Sequence, residues 1–142
     1  MDETAYRQAL TAAIPRNCPF EKTILTHCAA CSVAVKHNIA EREVVSCNLD
    51  LARERCNKLR GLLRNNFVFA LGKLHINGPL PHAQEMRIQC GGMRSIQFLL
   101  DGNDEVLNVS ELVAMAERKY GGLERLPFSE IVRRANVYYK AR

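Results

Sequence analysis

The sequence has few aromatic residues and no long apolar run. It contains four tyrosines and five phenylalanines among 142 residues, and none of them alternates with its arginine-rich stretch. Base stacking on aromatic rings is a common device of nucleic-acid binding, so a nucleic-acid partner is weakly supported. The apolar runs are too short to cross a bilayer, and we expect no membrane span.

Several signatures of enzymes are also absent. The chain has no glycine-rich phosphate loop, no Gly-x-Ser-x-Gly and no His-Glu-x-x-His. These motifs supply phosphate binding, an activated serine and a catalytic zinc, respectively. We therefore expect a protein that is not an enzyme on its own.

The N-terminus does not read as a secretory signal. Residues 1–4 are acidic and polar, where a signal peptide would begin with basic residues and continue into an apolar run. We expect a cytoplasmic protein. Reducing thiol pools in that compartment disfavour structural disulfides, so clustered cysteines are better explained there by metal binding or redox chemistry.

Cysteine is the residue type that carries the most information in this chain. Four of the six cysteines lie within thirty residues, and two of them form a Cys-x-x-Cys pair. The four are Cys18, Cys28, Cys31 and Cys47. Two sulfurs three residues apart can bind one metal centre from a single turn of chain. The pattern predicts that these four thiolates are the ligands of a metal cofactor.

An iron–sulfur cluster is the cofactor that the surroundings favour. The spacing Cys-x9-Cys-x2-Cys-x15-Cys matches neither the ferredoxin run nor the paired knuckles of a zinc ribbon. Apolar residues such as Ile24 and Val33 flank the Cys-x-x-Cys pair, and apolar packing shields a cluster from water. We predict a [4Fe-4S] protein that transfers electrons or senses redox state within a larger assembly.

Two other functions remain open at this stage. The first is a zinc-stabilised module that binds protein or nucleic acid, in which His27, His37 or His82 could join the cysteines. The second is a thiol-disulfide redox protein that uses Cys28 and Cys31. Such a pair normally lies between a strand and a helix of a βαβ unit, which the pattern here lacks.

The other two cysteines, Cys56 and Cys90, fall on the apolar faces of predicted helices. The apolar stripe of the long predicted helix consists of Cys56, Leu59, Leu63, Phe67 and Ala70, at three- and four-residue spacing. Free cysteine is among the most buried residue types, so both are expected in the core. Cys90 precedes Gly91 and Gly92, and a glycine pair inside a helix indicates that something approaches the backbone closely. Cys90 could therefore replace Cys18 or serve as an extra ligand, and Cys56 is a weaker candidate.

The hydrophobic periodicity predicts an all-α fold, a small bundle of about five helices. We expect one domain over residues 1–142, with a cysteine-rich segment at 18–56 and a helical body at 48–142. Residues 31–47 fit a helix or a short strand equally well. The predicted helices cover residues 3–13, a segment from Pro19 to Cys28, a long one from Asn48 to Leu71, one from residue 82 to Asp101, one from Asn108 to Gly121, and a last one through Tyr139.

The net charge of +5 is concentrated in the middle of the chain. Residues 51–100 carry eight Lys and Arg against two Asp and Glu. Most of these cations share one face of the predicted long helix: Arg53, Arg55, Lys58, Arg60 and Arg64. We expect this face to dock an acidic redox partner, where complementary charge raises the association rate.

Overall fold

The computed structural model describes residue 4 and residues 16–138. Apart from residue 4, the predicted helix over residues 3–13 lies outside the described residues, as does Tyr139.

The described chain combines α-helices with one two-stranded sheet. In chain order its elements are α1 (Glu21–Leu25), β1 (Ala34–Ile39), β2 (Arg42–Cys47), α2 (Asp50–Asn66), α3 (His82–Met86), a π-helix (Arg87–Gly91), α4 (Gly92–Asp101), α5 (Val109–Tyr120), a 3-10 turn (Leu123–Arg125) and α6 (Phe128–Tyr138).

The all-α prediction is wrong, because the ambiguous segment 31–47 forms a β-hairpin and the fold is α+β. Strands β1 and β2 pair antiparallel, from Ala34 opposite Cys47 to Ile39 opposite Arg42. The chain reverses at Ala40 and Glu41, whose φ angles are +51° and +67°. Two consecutive positive φ angles suit the tight turns that match strand twist, although glycine or asparagine usually occupies such positions.

The sequence of β2 lacks the alternation of apolar and polar residues that marks a half-buried strand, because both faces of β2 are buried. Val44 and Val45 are adjacent in sequence, yet both are fully buried. A half-buried strand alternates apolar and polar residues, whereas two buried neighbours interrupt that period of two. The segment before α1 also pairs with β2: the amide of Cys18 donates to the carbonyl of Val45 at 2.8 Å, and the amide of Cys47 donates to that of Arg16 at 2.7 Å.

Helix α2 packs against the core along the predicted apolar stripe. Cys56, Leu59 and Leu63 are buried on this helix, and Phe67 is buried directly after it. The helix ends at Asn66, a turn earlier than predicted, and the predicted stripe member Ala70 is exposed. The stripe spacing is therefore a better guide to the buried face than to the helix end.

Helix α3, the π-helix and α4 form one continuous helical segment, which we call the rod. Within it, Gly91 and Gly92 allow two close contacts with other helices. A Cβ on Gly91 would lie 2.9 Å from the Cβ of Ala135 in α6, and one on Gly92 would lie 3.3 Å from Leu63 Cδ1 in α2. The predicted close approach is confirmed, and the approaching groups are helices α6 and α2. The rod ends as predicted at Gly102, whose φ of +77° is the left-handed cap.

Among the described helices, none is long and apolar enough to cross a membrane.

Candidate functional site: a disulfide, a thiol pocket and a buried ion-pair network

A disulfide joins Cys28 to Cys90, two residues that are 62 positions apart, with a Cα–Cα distance of 6.0 Å. Cys28 lies in the loop after α1, and Cys90 lies in the π-helix. Cys90 is only 3% exposed, whereas Cys28 is half-buried. A reagent from solution therefore has better access to the Cys28 side of the bond.

A buried hydrogen bond links the same two segments beside the disulfide. Thr23 Oγ1 in α1 donates to Gln89 Oε1 in the π-helix at 2.9 Å, and both residues are buried. Gln89 Nε2 in turn donates to Glu85 Oε1 at 2.8 Å. Because Gln89 precedes Cys90 directly, this polar chain and the disulfide hold α1 against one turn of the rod.

Glu85 is a buried carboxylate, 3% exposed, that is held by two arginines of α2. Arg64 Nη1 lies 2.7 Å from its Oε2, and Arg60 Nη2 lies 3.1 Å from its Oε1. With Gln89, these side chains provide three donors for the two oxygens. A buried carboxylate is tolerable only with such partners, because removing an ion from water costs several kcal/mol.

The loop that carries Cys28 and Cys31 is anchored by its backbone. The amide of Ala30 donates to the carbonyl of Val106 at 3.1 Å, and the amide of Val109 donates to the carbonyl of Ala30 at 2.9 Å. Just before Cys28, His27 adopts a φ of +61°. Left-handed backbone costs a non-glycine residue about 1 kcal/mol or more, so the surrounding contacts impose this turn.

The four reduced cysteines line one small cavity, which we call the thiol pocket: Cys18, Cys31, Cys47 and Cys56. They come from the segment before α1, the loop after α1, the end of β2 and helix α2. The cavity measures about 10 Å³ and its other walls are mostly apolar. This volume is about that of a single water probe.

Burial keeps two of these thiols protonated. Burial, with a smaller contribution from charge repulsion by the neighbouring cysteines, raises the pKa of Cys18 to about 11 and the pKa of Cys56 to about 12. The thiolate is the nucleophile in cysteine chemistry, so Cys18 and Cys56 are weakly reactive at neutral pH. Cys47 is buried as well, and its thiol donates to the carbonyl of Leu49 at 3.3 Å.

The iron–sulfur and metal-binding predictions are wrong on this geometry. Cys28 is bonded to Cys90 and so cannot join Cys18, Cys31 and Cys47 as a thiolate ligand. Within residues 16–138, no group of three or more His, Cys, Asp or Glu side chains is arranged to hold a metal ion. The thiol pocket also has no room for a four-iron cluster. The zinc alternative needs the same donor arrangement and gains no support.

The histidines do not complete a mixed site with the cysteines. His37 Nε2 is 2.8 Å from Ser46 Oγ on the partner strand, a pair internal to the hairpin. His27 and His82 are exposed. The exposed pair and His37 belong to no metal-holding group in the described part of the chain.

Sequence reasoning missed the partners of both central features. The sequence offers Cys90 as a possible metal ligand, and the structure makes it the disulfide partner of Cys28. The sequence predicts a metal-ligand role for Cys56 only weakly, yet this residue lines the thiol pocket with Cys18, Cys31 and Cys47. The glycine pair after Cys90 is the only local sign in the sequence that another part of the chain lies close to Cys90. The structure shows that these glycines make room for neighbouring helices and not for the disulfide.

The basic face of α2 is largely engaged within the chain. Arg55 pairs with Glu117 at 3.3 Å, and Lys58 pairs with Glu124. Arg53 Nε donates to the carbonyl of Asn17 at 3.0 Å, while Arg60 and Arg64 bind Glu85. Docking of an acidic partner on this face stays a prediction, as does the cytoplasmic location.

Comparison with protein families, with curated proteins and with solved structures finds no match.

Proposed function

We propose that this chain is a thiol-disulfide redox protein in which the Cys28–Cys90 bond is reversibly reduced. The observation that carries the proposal is the unequal burial of the two sulfur-bearing residues, with half-buried Cys28 bonded to buried Cys90. Exchange proceeds by attack of a thiolate on one accessible sulfur of a disulfide. Access on the Cys28 side defines both the attacked sulfur and the leaving group.

The reaction needs an external dithiol as reductant. One of its thiolates attacks Cys28 Sγ, the bond to Cys90 breaks, and Cys90 leaves as a thiolate that takes up a proton. The second thiol of the reductant then attacks the reductant's first sulfur, which is bonded to Cys28 in the mixed disulfide, and Cys28 is released as a thiolate. The two electrons come from the dithiol, which becomes a disulfide.

Cys31 provides a different second step, in which the disulfide is rearranged and the reductant is not oxidised. It lies three residues after Cys28, is half-buried, and carries no disulfide. Its thiolate can attack Cys28 Sγ in the mixed disulfide, form the Cys28–Cys31 bond of a Cys-x-x-Cys pair and release the reductant as the free dithiol, so that Cys90 is left as a thiol and no net electrons are transferred. In the thiol pocket, protonated Cys18 and Cys56 are poor nucleophiles, so exchange is expected to stop at Cys31.

Reduction would loosen a defined part of the fold. The disulfide ties the loop after α1 to the π-helix, and without it the Thr23–Gln89 hydrogen bond remains between these segments. π-Helical turns are frequently found at functional sites. A change in the packing of α1 on the rod is a structural readout suited to redox sensing.

The test is a redox titration of the intact protein. Samples are equilibrated in thiol-disulfide buffers, free thiols are alkylated, and Cys28 and Cys90 are quantified by peptide mass spectrometry. We expect the bond to open in the range of cellular dithiol couples, about −270 to −180 mV. A bond that stays closed below about −300 mV is a structural disulfide and would overturn the proposal.

Metal analysis of the purified chain is a second check. We expect Cys28 to be recovered in the disulfide under non-reducing conditions. Zinc or iron bound through Cys28 would contradict the proposal, because a metal thiolate and a disulfide cannot share one sulfur.

A further inference from the structure

A second cavity lies beside the buried ion-pair network, between α1, α2 and the turn before α3. Its volume is about 270 Å³. Drug-sized ligands occupy cavities of roughly 300–1,000 Å³, so this space suits a smaller molecule. We call it the cationic cavity, because Lys22, Arg53 and Arg60 line it.

The three cations keep donors that are not used within the fold. Lys22 Nζ has no hydrogen-bond or ion-pair partner among the described residues. Arg53 uses Nε for the carbonyl of Asn17, and its two terminal nitrogens have no partner among residues 16–138. Arg60 binds Glu85 through Nη2, but its buried Nε has no partner in the described structure. Buried donors without partners are rare in folded proteins and call for an explanation.

The carboxylates in the wall do not satisfy these donors. Both oxygens of Glu85 already accept hydrogen bonds. The donor to Oε2 is Arg64, which lies outside the cavity. Glu21 Oε2 accepts from Asn17 Nδ2 at 2.9 Å and from the amide of Val45 at 2.8 Å. The cavity is therefore left with an excess of positive charge.

We propose that the cationic cavity binds a small anion through its carboxylate or phosphate oxygens, held by Lys22, Arg53 and Arg60. The planar guanidinium group matches both kinds of oxyanion, and a lysine ammonium adds a mobile point charge. Pro79 and Leu80 provide an apolar wall for the uncharged part of an organic ligand. This site does not depend on the proposed redox function, since neither sulfur of the disulfide lines it.

Calorimetric titration of the intact oxidised protein tests the site with four probes: inorganic phosphate, glycerol 3-phosphate, citrate and uncharged glycerol. We expect saturable binding of at least one anion at one site per chain and none of glycerol. Tighter binding of glycerol 3-phosphate assigns a phosphate ligand, and tighter binding of citrate assigns a carboxylate ligand. Absence of saturable binding by all three anions would overturn the proposal.

Lys22→Gln is the decisive variant, because the Lys22 ammonium group has no hydrogen-bond or ion-pair partner among the described residues that its removal would leave unsatisfied. Removing a charged donor should weaken anion binding about tenfold or more. Lys58→Gln is the matched control: it removes the same charge from α2 outside the cavity, and should change affinity by less than about twofold. Equal weakening by both variants would show general charge attraction and reject the site. Thermal unfolding of each variant verifies that it is folded.

Discussion

The two cysteine-rich regions of this molecule differ in chemistry although they share the loop after α1. Around the disulfide, Cys90 adjoins a hydrogen-bonded chain from Thr23 through Gln89 to Glu85. Around the thiol pocket, four reduced cysteines face mostly apolar walls and a nearly filled space. A polar, covalently linked region can change state through exchange with solvent thiols, whereas the protonated thiols of Cys18 and Cys56 in the apolar pocket behave as core packing. Surroundings, more than cysteine spacing, separate the two roles.

The largest expected effect comes from removing the cross-link. Replacing both Cys28 and Cys90 by alanine should lower the free energy of unfolding by about 4 kcal/mol, since the bond closes a loop of 62 residues. Urea unfolding under non-reducing conditions measures this loss. Wild-type protein treated with a dithiol should approach the variant. A loss below about 1 kcal/mol would mean that the disulfide does not constrain the unfolded chain.

The contribution of the polar region can be tested by replacing Glu85, the buried carboxylate of the ion-pair network. Glu85→Ala leaves Arg64, whose side chain is 12% exposed, without its ion-pair partner. Loss of one partner of a buried pair costs about 3 to 5 kcal/mol, and the lower end is expected because Arg60 is more exposed and can turn to solvent. Chemical denaturation provides the measurement. Glu124→Ala, at a solvent-accessible ion pair with Lys58 in which both side chains are about half exposed, is the control and should unfold like the wild type.

Two substitutions at Cys56 test whether the thiol pocket is apolar. Cys56→Ala removes one buried sulfur and should cost about 1 kcal/mol. Cys56→Ser keeps the size but buries a hydroxyl group in an apolar pocket, so it should cost about 1 kcal/mol more than the alanine variant. Urea titrations of the two variants decide the point. If serine is the better tolerated residue, the pocket is polar and the contrast between the two regions fails.

The effect that is smallest near neutral pH is a loss of stability in alkaline solution, which the thiol pocket contributes and the disulfide does not. The pKa of Cys56 rises from 9.0 in the unfolded chain to about 12, and that of Cys18 rises to about 11. The folded protein therefore holds these protons more tightly. Their contribution to stability is complete below pH 9 and is lost as the pH rises through 11 and 12.

Unfolding curves recorded between pH 8 and the alkaline limit measure this loss. Cys56→Ala should show a shallower alkaline decline than the wild type. Mass-spectrometric mapping should find Cys18 unmodified by iodoacetamide at neutral pH and modified as the pH approaches 11. Rapid alkylation of Cys18 at pH 7 would contradict the burial argument.

The helical part of the fold was accessible from the sequence, because helix faces and ends are encoded locally. The stripe at Cys56, Leu59 and Leu63 and the left-handed cap at Gly102 follow from residue spacing and glycine chemistry. The predicted helix start at Asn108 shows the limit of local reasoning. Asn108 lies directly before α5 at the N-cap position, but its side-chain amide donates to Ser32 Oγ in a distant loop at 3.0 Å.

The hairpin and the site could not be obtained in the same way. In β2, Val44 and Val45 are both buried because the chain packs on the two faces of a short strand, and this hides the alternation that marks β-structure. The spacing of Cys28 and Cys31 indicates a joint role. The partner of Cys28 instead comes from the π-helix, far along the chain.

By itself, the sequence determined the helical faces, the concentration of positive charge on α2 and the abundance of thiols near the N-terminus. These properties depend on neighbours within one or two turns of chain. Only the tertiary structure decided that Cys28 meets Cys90, that Cys56 joins the other three thiols, and that Arg60 and Arg64 turn to Glu85 while Arg53 and Lys22 face a cavity. Each of these pairings joins segments brought together by packing, and spacing along the chain carries no record of such contacts.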